Sequence, residues 1–237
     1  MGYNGHVLPR LIPGTLVKRY KRFLADVELE SGAVVTAHCP NTGSMRGCST
    51  PGTRVYLSES DNPKRKLNYT WELMEIPETF IGINTQVPNK LVQHSIEGGL
   101  VAALSGYTSV RPEVKTSEHT RLDLLLSNAA GEECFVEVKN CTLVEEGVAR
   151  FPDAVTVRGQ KHLAELERLV SQGKRGVIFF LIQRMDAVAF KPAGDIDPAY
   201  ARLLGQVVRA GVEVIAWDTV MDLNRICLGK SIPVTLE

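Results

Sequence analysis

The chain has 237 residues, 44% hydrophobic and 23% charged, with 27 basic and 27 acidic side chains and zero formal net charge. That length suits two domains, and the apolar content excludes a disordered, fibrous or disulfide-scaffold protein. Bulk charge announces no polyanion partner, and no apolar run approaches the ~20 residues of a membrane span.

The charge is unevenly spread. Residues 1–70 carry ten Lys/Arg against five Asp/Glu, leaving 17 against 22 for the rest. An amino-terminal face suited to phosphates is the expectation. The five cysteines are odd in number, and the opening MGYNGH has neither an apolar leader nor a myristoylation signal. A reduced, cytoplasmic protein with free thiols and no membrane contact is expected.

Up to about residue 85 the chain reads as strands between turn signals, at 14–29, 32–40, 53–60, 69–76 and 79–84. Five strands with Gly and Pro punctuation fit an oligonucleotide-binding type of β-barrel. In KRYKRF, Lys18, Arg19, Lys21 and Arg22 surround Tyr20 and Phe23. Basic groups neutralise phosphates and aromatic faces stack on exposed bases. If 16–24 is one strand, Arg22 shares a face with Lys18 and Tyr20, and Phe23, on the other face, is more readily a core residue. Lys64, Arg65 and Lys66 form a second basic segment in a loop. HCPNTGSMRGC (38–48) is rich in turn formers, and Asn41, Thr42, Ser44 and Arg46 suit a phosphate cradle or a rigid connecting loop. His38, Cys39 and Cys48 give too few ligands, at the wrong spacing, for zinc.

From 86 onward helical and strand patterns alternate. Helices are expected at 88–104, 156–173 and 197–211, with strands at 107–114, 121–127, 134–138, 176–183 and 212–219. This order predicts a three-layer α/β domain with a mixed sheet. Asp123 stands in the apolar run RLDLLLS, and Glu137 and Lys139 stand in CFVEVKN. Asn128 and Gly131 between them suit a hairpin, which brings the three to one end of the sheet. Two carboxylates can share a divalent cation, and a lysine two positions away can stabilise phosphate charge or help deprotonate a water. A strand-end ion pair without chemistry is the alternative. His119 and His162 read as surface or core histidines.

Asp, then EVK starting fourteen positions on, within a helix–strand–strand–strand–helix–strand order, resembles the PD-(D/E)xK nuclease superfamily over about 86–185. The resemblance implies Mg²⁺ or Mn²⁺ held by Asp123 and Glu137, with Lys139 as the catalytic lysine. It also implies a glutamate on the first helix, for which Glu97 is the candidate and Glu113 the competitor. The helix after EVK would add a polar group, Gln160 or Lys161. Leu122 stands where the motif has proline, and Pro152–Asp153 follows E-x-K and is set aside.

Longer strings (VKRYKRFLADVEL, HCPNTGSMRGC, KRKLNYTWEL, RLDLLL, EVKNCTL and FPDAVTVRGQKHL) together resemble the sugar fermentation stimulation protein A family over nearly the whole chain. That resemblance implies an OB-like β-barrel at 1–85 and a nuclease-like α/β domain at 86–237. It further implies DNA binding without strong sequence preference and a regulatory link to sugar (maltose) metabolism. Three activities stay open: a metal-dependent DNA nuclease, a DNA-binding regulator that keeps the nuclease fold without turnover, and an RNA-processing nuclease. The oligomeric state is not legible.

Overall fold

The computed structural model describes residues 5–77 and 79–236; the first four residues of MGYNGH lie outside the described part. A two-residue strand, β1 (His6–Val7), precedes β2 (Leu11–Tyr20), β3 (Leu24–Leu29), β4 (Val34–His38), β5 (Arg54–Glu59), β6 (Tyr69–Ile76) and β7 (Thr79–Gly82). These last six pair in the order β4-β3-β2-β5-β6-β7. A parallel contact, Ala37 opposite Tyr69 and His38 opposite Thr70, joins β4 to β6 and closes β2–β6 into a five-stranded barrel. Closure joins the first and last strands of the barrel's pairing order, with β7 flanking β6 outside it. Period-two alternation, shifted once by an irregularity between β5 and β6, fills the interior with Leu16, Ala25, Val27, Ala37, Val55, Leu57, Trp71 and Met74.

The segment expected as one strand at 16–24 is a hairpin. β2 ends at Tyr20, and Lys21 (φ 47°) and Arg22 (φ 65°) turn the chain through the left-handed region. β3 must return along β2 to bury Ala25 and Val27, so pairing overrides the continuous strand pattern. Arg22 therefore shares no strand face with Lys18 and Tyr20. Phe23, read as a core residue, is 48% exposed.

The second part contains α1 (Val87–Glu97), a 3₁₀ turn at 102–104, β8 (Ser109–Lys115), β9 (Arg121–Ser127), β10 (Glu133–Cys141), β11 (Leu143–Glu145) and β12 (Val148–Phe151). There follow α2 (Val157–Ser171), β13 (Arg175–Ile182), β14 (Ala189–Pro192), α3 (Pro198–Arg209), β15 (Glu213–Met221) and β16 (Arg225–Ser231). A seven-stranded mixed sheet runs β1-β16-β15-β13-β10-β9-β8, with β10, β13 and β15 parallel. β11, β12 and β14 form a small separate sheet.

The continuous apolar run of β13 has a direct cause. Val177, Phe179 and Leu181 face α1, while Ile178, Phe180 and Ile182 face α2 and α3. A strand covered on both faces has no solvent side to keep polar, and each such side chain contributes roughly 1.5–3 kcal/mol of burial. Thr156 caps α2 by accepting from Gly159 N–H, and Asp197 caps α3 by accepting from Tyr200 N–H. Among the described residues no helix is long and apolar enough to cross a membrane.

The two parts are packed together. Tyr56 and Leu73 of the barrel and Leu8 before it join the core beneath α1. Asp153, of the set-aside Pro-Asp pair, accepts from Ser44 Oγ (2.8 Å) and Met45 N–H (3.0 Å), clasping the 38–48 loop to the second domain. β1 pairs with β16, His6 opposite Ile226, so the chain enters the second sheet before it builds the barrel.

Candidate functional site

The β9–β10 ladder runs from Ser127 opposite Glu133 to Leu124 opposite Val136, and stops one step short of Asp123 and Glu137. There the Asp123 side chain takes over from the backbone. Its Oδ2 accepts from Val138 N–H at 2.8 Å, and its Oδ1 accepts from Asn89 Nδ2 of α1 at 2.7 Å. Glu137 lies deeper, its side chain 3% exposed. Glu137 Oε1 accepts from Lys139 Nζ at 2.7 Å and bonds His162 Nδ1 of α2. Glu137 Oε2 is buried and, among the described residues, has no hydrogen-bond partner.

These environments drive the two carboxyls apart. Burial first, and then the charge of Glu137, push the Asp123 carboxyl up to about 6. Burial also raises Glu137, but its bond to His162 and the charge of Lys139 outweigh burial and hold it below its ordinary value. Removing a carboxylate from water costs several kcal/mol unless every lone pair is satisfied. A purely structural ion pair at a strand end would satisfy both Glu137 oxygens; this one leaves Oε2 open. A second positive charge at this point would satisfy Oε2 and relieve the strain on ionised Asp123. Among the described residues no group of three or more His, Cys, Asp or Glu side chains is arranged to hold a metal ion. The chain itself therefore offers two carboxylates, with water or phosphate oxygens to complete a shell.

The structure brings Asp123, Glu137 and Lys139 together and leaves other expected members apart. Glu97 is eight residues beyond Asn89 on α1, about 12 Å along the axis. It is exposed and accepts from Gln93 instead. The orientation of α1 presents its first turn to the sheet end, so Asn89 occupies the place expected for Glu97. Glu113 is nearer: it borders the same recess as Asp123 and Asn89, exposed and 3.5 Å from Arg121. Gln160 points to Asp197, donating to both its oxygens at 3.3 Å, and so supports the start of α3. Lys161 is exposed beside His162. His162, expected to be merely surface or core, touches Glu137. Its burial is legible from the helical pattern of α2, but its target is not.

Three recesses meet around this cluster. One of about 410 Å³ lies between the 38–48 loop and the second domain, bordered by Thr42, Thr85, Asn140 and Arg158. Thr85 also borders the recess of Asp123, and Arg158 also borders that of His162. Together they form a groove past Asp123 and past His162, the residue that bonds Glu137. Lys90, Arg158 and Lys161 stand along it, exposed and, among the described residues, in no ion pair.

The basic residues of the barrel divide sharply. Arg19, expected to meet phosphate, turns inward: its Nη2 donates to the carbonyls of Arg22 (2.7 Å), Asn41 (3.0 Å) and Gly43 (2.9 Å). Asn41 is buried, with its Oδ1 accepting from Gly43 N–H. Both build the loop rather than its outer surface. Lys18 pairs with Asp26 at 3.5 Å and Arg46 with Glu145 at 3.5 Å. Arg65 donates to Thr70 Oγ1, while Lys64, Lys66, Lys21, Arg22 and Thr42 are exposed. Cys39 and Cys48 are buried free thiols, and burial pushes Cys48 up to about 11, away from the thiolate a metal would need.

Residues 17–83 match the SfsA N-terminal OB domain, and residues 86–225 match the sugar fermentation stimulation protein RE domain. The chain belongs to the sugar fermentation stimulation protein family. The family's homolog from Geobacter sulfurreducens is 57% identical over 229 residues, covering 96% of this chain and 98% of that protein. The homolog from Shewanella baltica is 51% identical over 225 residues, covering 94% and 96%. A solved structure of Pyrococcus furiosus SfsA in complex with Ca²⁺ superposes with a TM-score of 0.89 at 30% identity, over 99% of each chain. Within the family fold, the first part is a closed OB barrel. The second part resembles restriction endonuclease-like domains of the PD-(D/E)xK type, with the order α1, β8, β9, β10, α2, β13.

Proposed function

We propose that this protein grips nucleic acid, DNA foremost, along the groove between barrel and second domain and hydrolyses a phosphodiester at Asp123, Glu137 and Lys139. The observation that carries this reading is the buried, unpartnered Glu137 Oε2 in a cluster that already holds a second carboxylate and an ammonium. The residues fit a hard divalent cation: Asp123 and Glu137 would hold Mg²⁺ or Mn²⁺, and the Pyrococcus relative was solved with Ca²⁺, another oxygen-seeking ion. When bound, such an ion supplies Lewis acidity and a water of lowered pKa. The chain's own groups do the rest. Asn89 and Val138 N–H orient Asp123, His162 orients Glu137, and the Lys139 ammonium offsets charge on the phosphate. Lys90, Arg158 and Lys161 hold the backbone without reading bases, which accords with low sequence preference. The free thiols and this substrate suit the cytoplasm, where a regulatory effect on sugar metabolism would act through nucleic acid.

The test is cleavage of labelled single-stranded, duplex and branched DNA, and of matched RNA, with Mn²⁺. Wild type should cut, and Lys139→Ala and Asp123→Ala should each lose about 10²-fold or more of that rate while retaining binding. Binding without cleavage, unchanged by either substitution, would instead make this a regulator on a nuclease fold. Preferential cutting of RNA would reassign the substrate.

A further inference from the structure

We infer that Phe23, at the tip of the β2–β3 turn, is a stacking platform for an unpaired base, so that the groove takes single-stranded or frayed nucleic acid. This rests on the nucleic-acid reading above and names the state of the strand it receives. Singly exposed hydrophobes are ordinary, but this one is built. Cys39 N–H donates to Phe23 O at 2.8 Å, and the half-buried guanidinium of Arg19 holds Arg22 O at 2.7 Å. Lys21 and Arg22 both take positive φ, a costly conformation for residues with a Cβ, where a simple turn would use Asn-Gly. Long cations are kept there instead. Neither pairs with a carboxylate among the described residues, and both are exposed beside the ring.

The arrangement offers two cations for phosphates and one exposed aromatic face next to them in the chain. A base in a duplex already stacks on its neighbours and shows such a tip only its backbone, whereas an unpaired base has a free face to give. Position supports the same route. Arg19 also pins Asn41 O and Gly43 O, and Thr42 and Gly43 border the recess that reaches Asn140, the neighbour of Lys139. A strand stacked at the tip is thereby aimed along the groove toward the carboxylates.

The test compares wild type, Phe23→Ala, Phe23→Leu and Phe23→Trp, without metal, on a single-stranded oligonucleotide, its abasic analogue and a blunt duplex. Phe23→Ala and Phe23→Leu should weaken single-strand binding about 5- to 150-fold and leave duplex binding unchanged. Phe23→Trp should bind normally, with its indole fluorescence quenched by the single strand alone. The abasic analogue should bind wild type and Phe23→Ala equally. Equal affinity of all four proteins for the single strand, or equal losses on duplex and abasic strand, would overturn stacking while leaving the groove intact. Failure of wild type to bind any of the three would instead overturn the nucleic-acid reading, and stacking with it.

Discussion

At Asp123 the protein keeps a carboxyl that burial and a neighbouring carboxylate push up to about 6. A raised folded pKa means that the protonated form stabilises the fold. That contribution is complete below the unfolded value of 3.8 and is lost as pH rises through about 6, by at most about 3 kcal/mol. In cation-free buffer the melting temperature of wild type should therefore fall between pH 5 and 7 more steeply than that of Asp123→Asn. Mn²⁺ should raise it more at pH 7.5 than at pH 5. Superimposable pH curves for the two proteins would refute the assignment. Glu137 titrates the other way, below this window, and does not blur the reading. His162 acts on Glu137 through one bond, as a positioning residue. Partners that orient a ligating carboxylate typically account for about 10–100-fold in metal affinity. His162→Ala should weaken Mn²⁺ binding by that factor, read by calorimetry, and an unchanged affinity would leave His162 a packing residue.

Within the β2–β3 hairpin, two arginines three residues apart do unlike work. Arg19 satisfies three carbonyls from two loops; Arg22 is exposed at the tip. Arg19→Ala should destabilise the fold by about 2–3 kcal/mol, seen in urea unfolding, whereas Arg22→Ala should stay within about 0.5 kcal/mol and weaken nucleic-acid binding. Equal stability of both variants would refute the division. Sequence reading expected the two to behave alike, because charge is visible in a sequence and the direction of a side chain at a hairpin is not. The turn itself was hidden for a similar reason: no Gly or Asn marks Lys21–Arg22. The Asp123–Glu137–Lys139 cluster was legible because period-two strands and a short hairpin fix which residues meet. Asn89 and His162 were not, since the rotation of α1 and α2 is set by packing of Leu91, Val92, Leu163 and Leu166 on sheet residues such as Val136 and Phe180, remote in sequence. The small sheet of β11, β12 and β14 escaped because runs of three or four residues carry no period.

Across the whole molecule the net charge is zero, yet unpaired cations line one groove and one hairpin tip. Affinity for a single strand should fall with log salt at a slope of about −0.7 per phosphate contacted, about −3.5 for Lys21, Arg22, Lys90, Arg158 and Lys161 together. Arg158→Ala should shallow that slope by about 0.7; an affinity flat in salt would refute phosphate contact. The pairing of β1 with β16 bears on how such a strand could enter. Because β1 lies in the second sheet and the chain then leaves it for the barrel and comes back at α1, the barrel hangs from two stems, one at 8–11 and the other at 82–87. A body on one stem can swing like a gate; on two it can hardly turn, so the opening has a fixed width. Nucleic acid would have to be threaded past the carboxylates rather than clamped from above. The same double attachment makes the halves inseparable in practice. Residues 86–237 alone would lack β1, leave the Arg225–Ile226 end of β16 unpaired at the outer edge and invite self-association there.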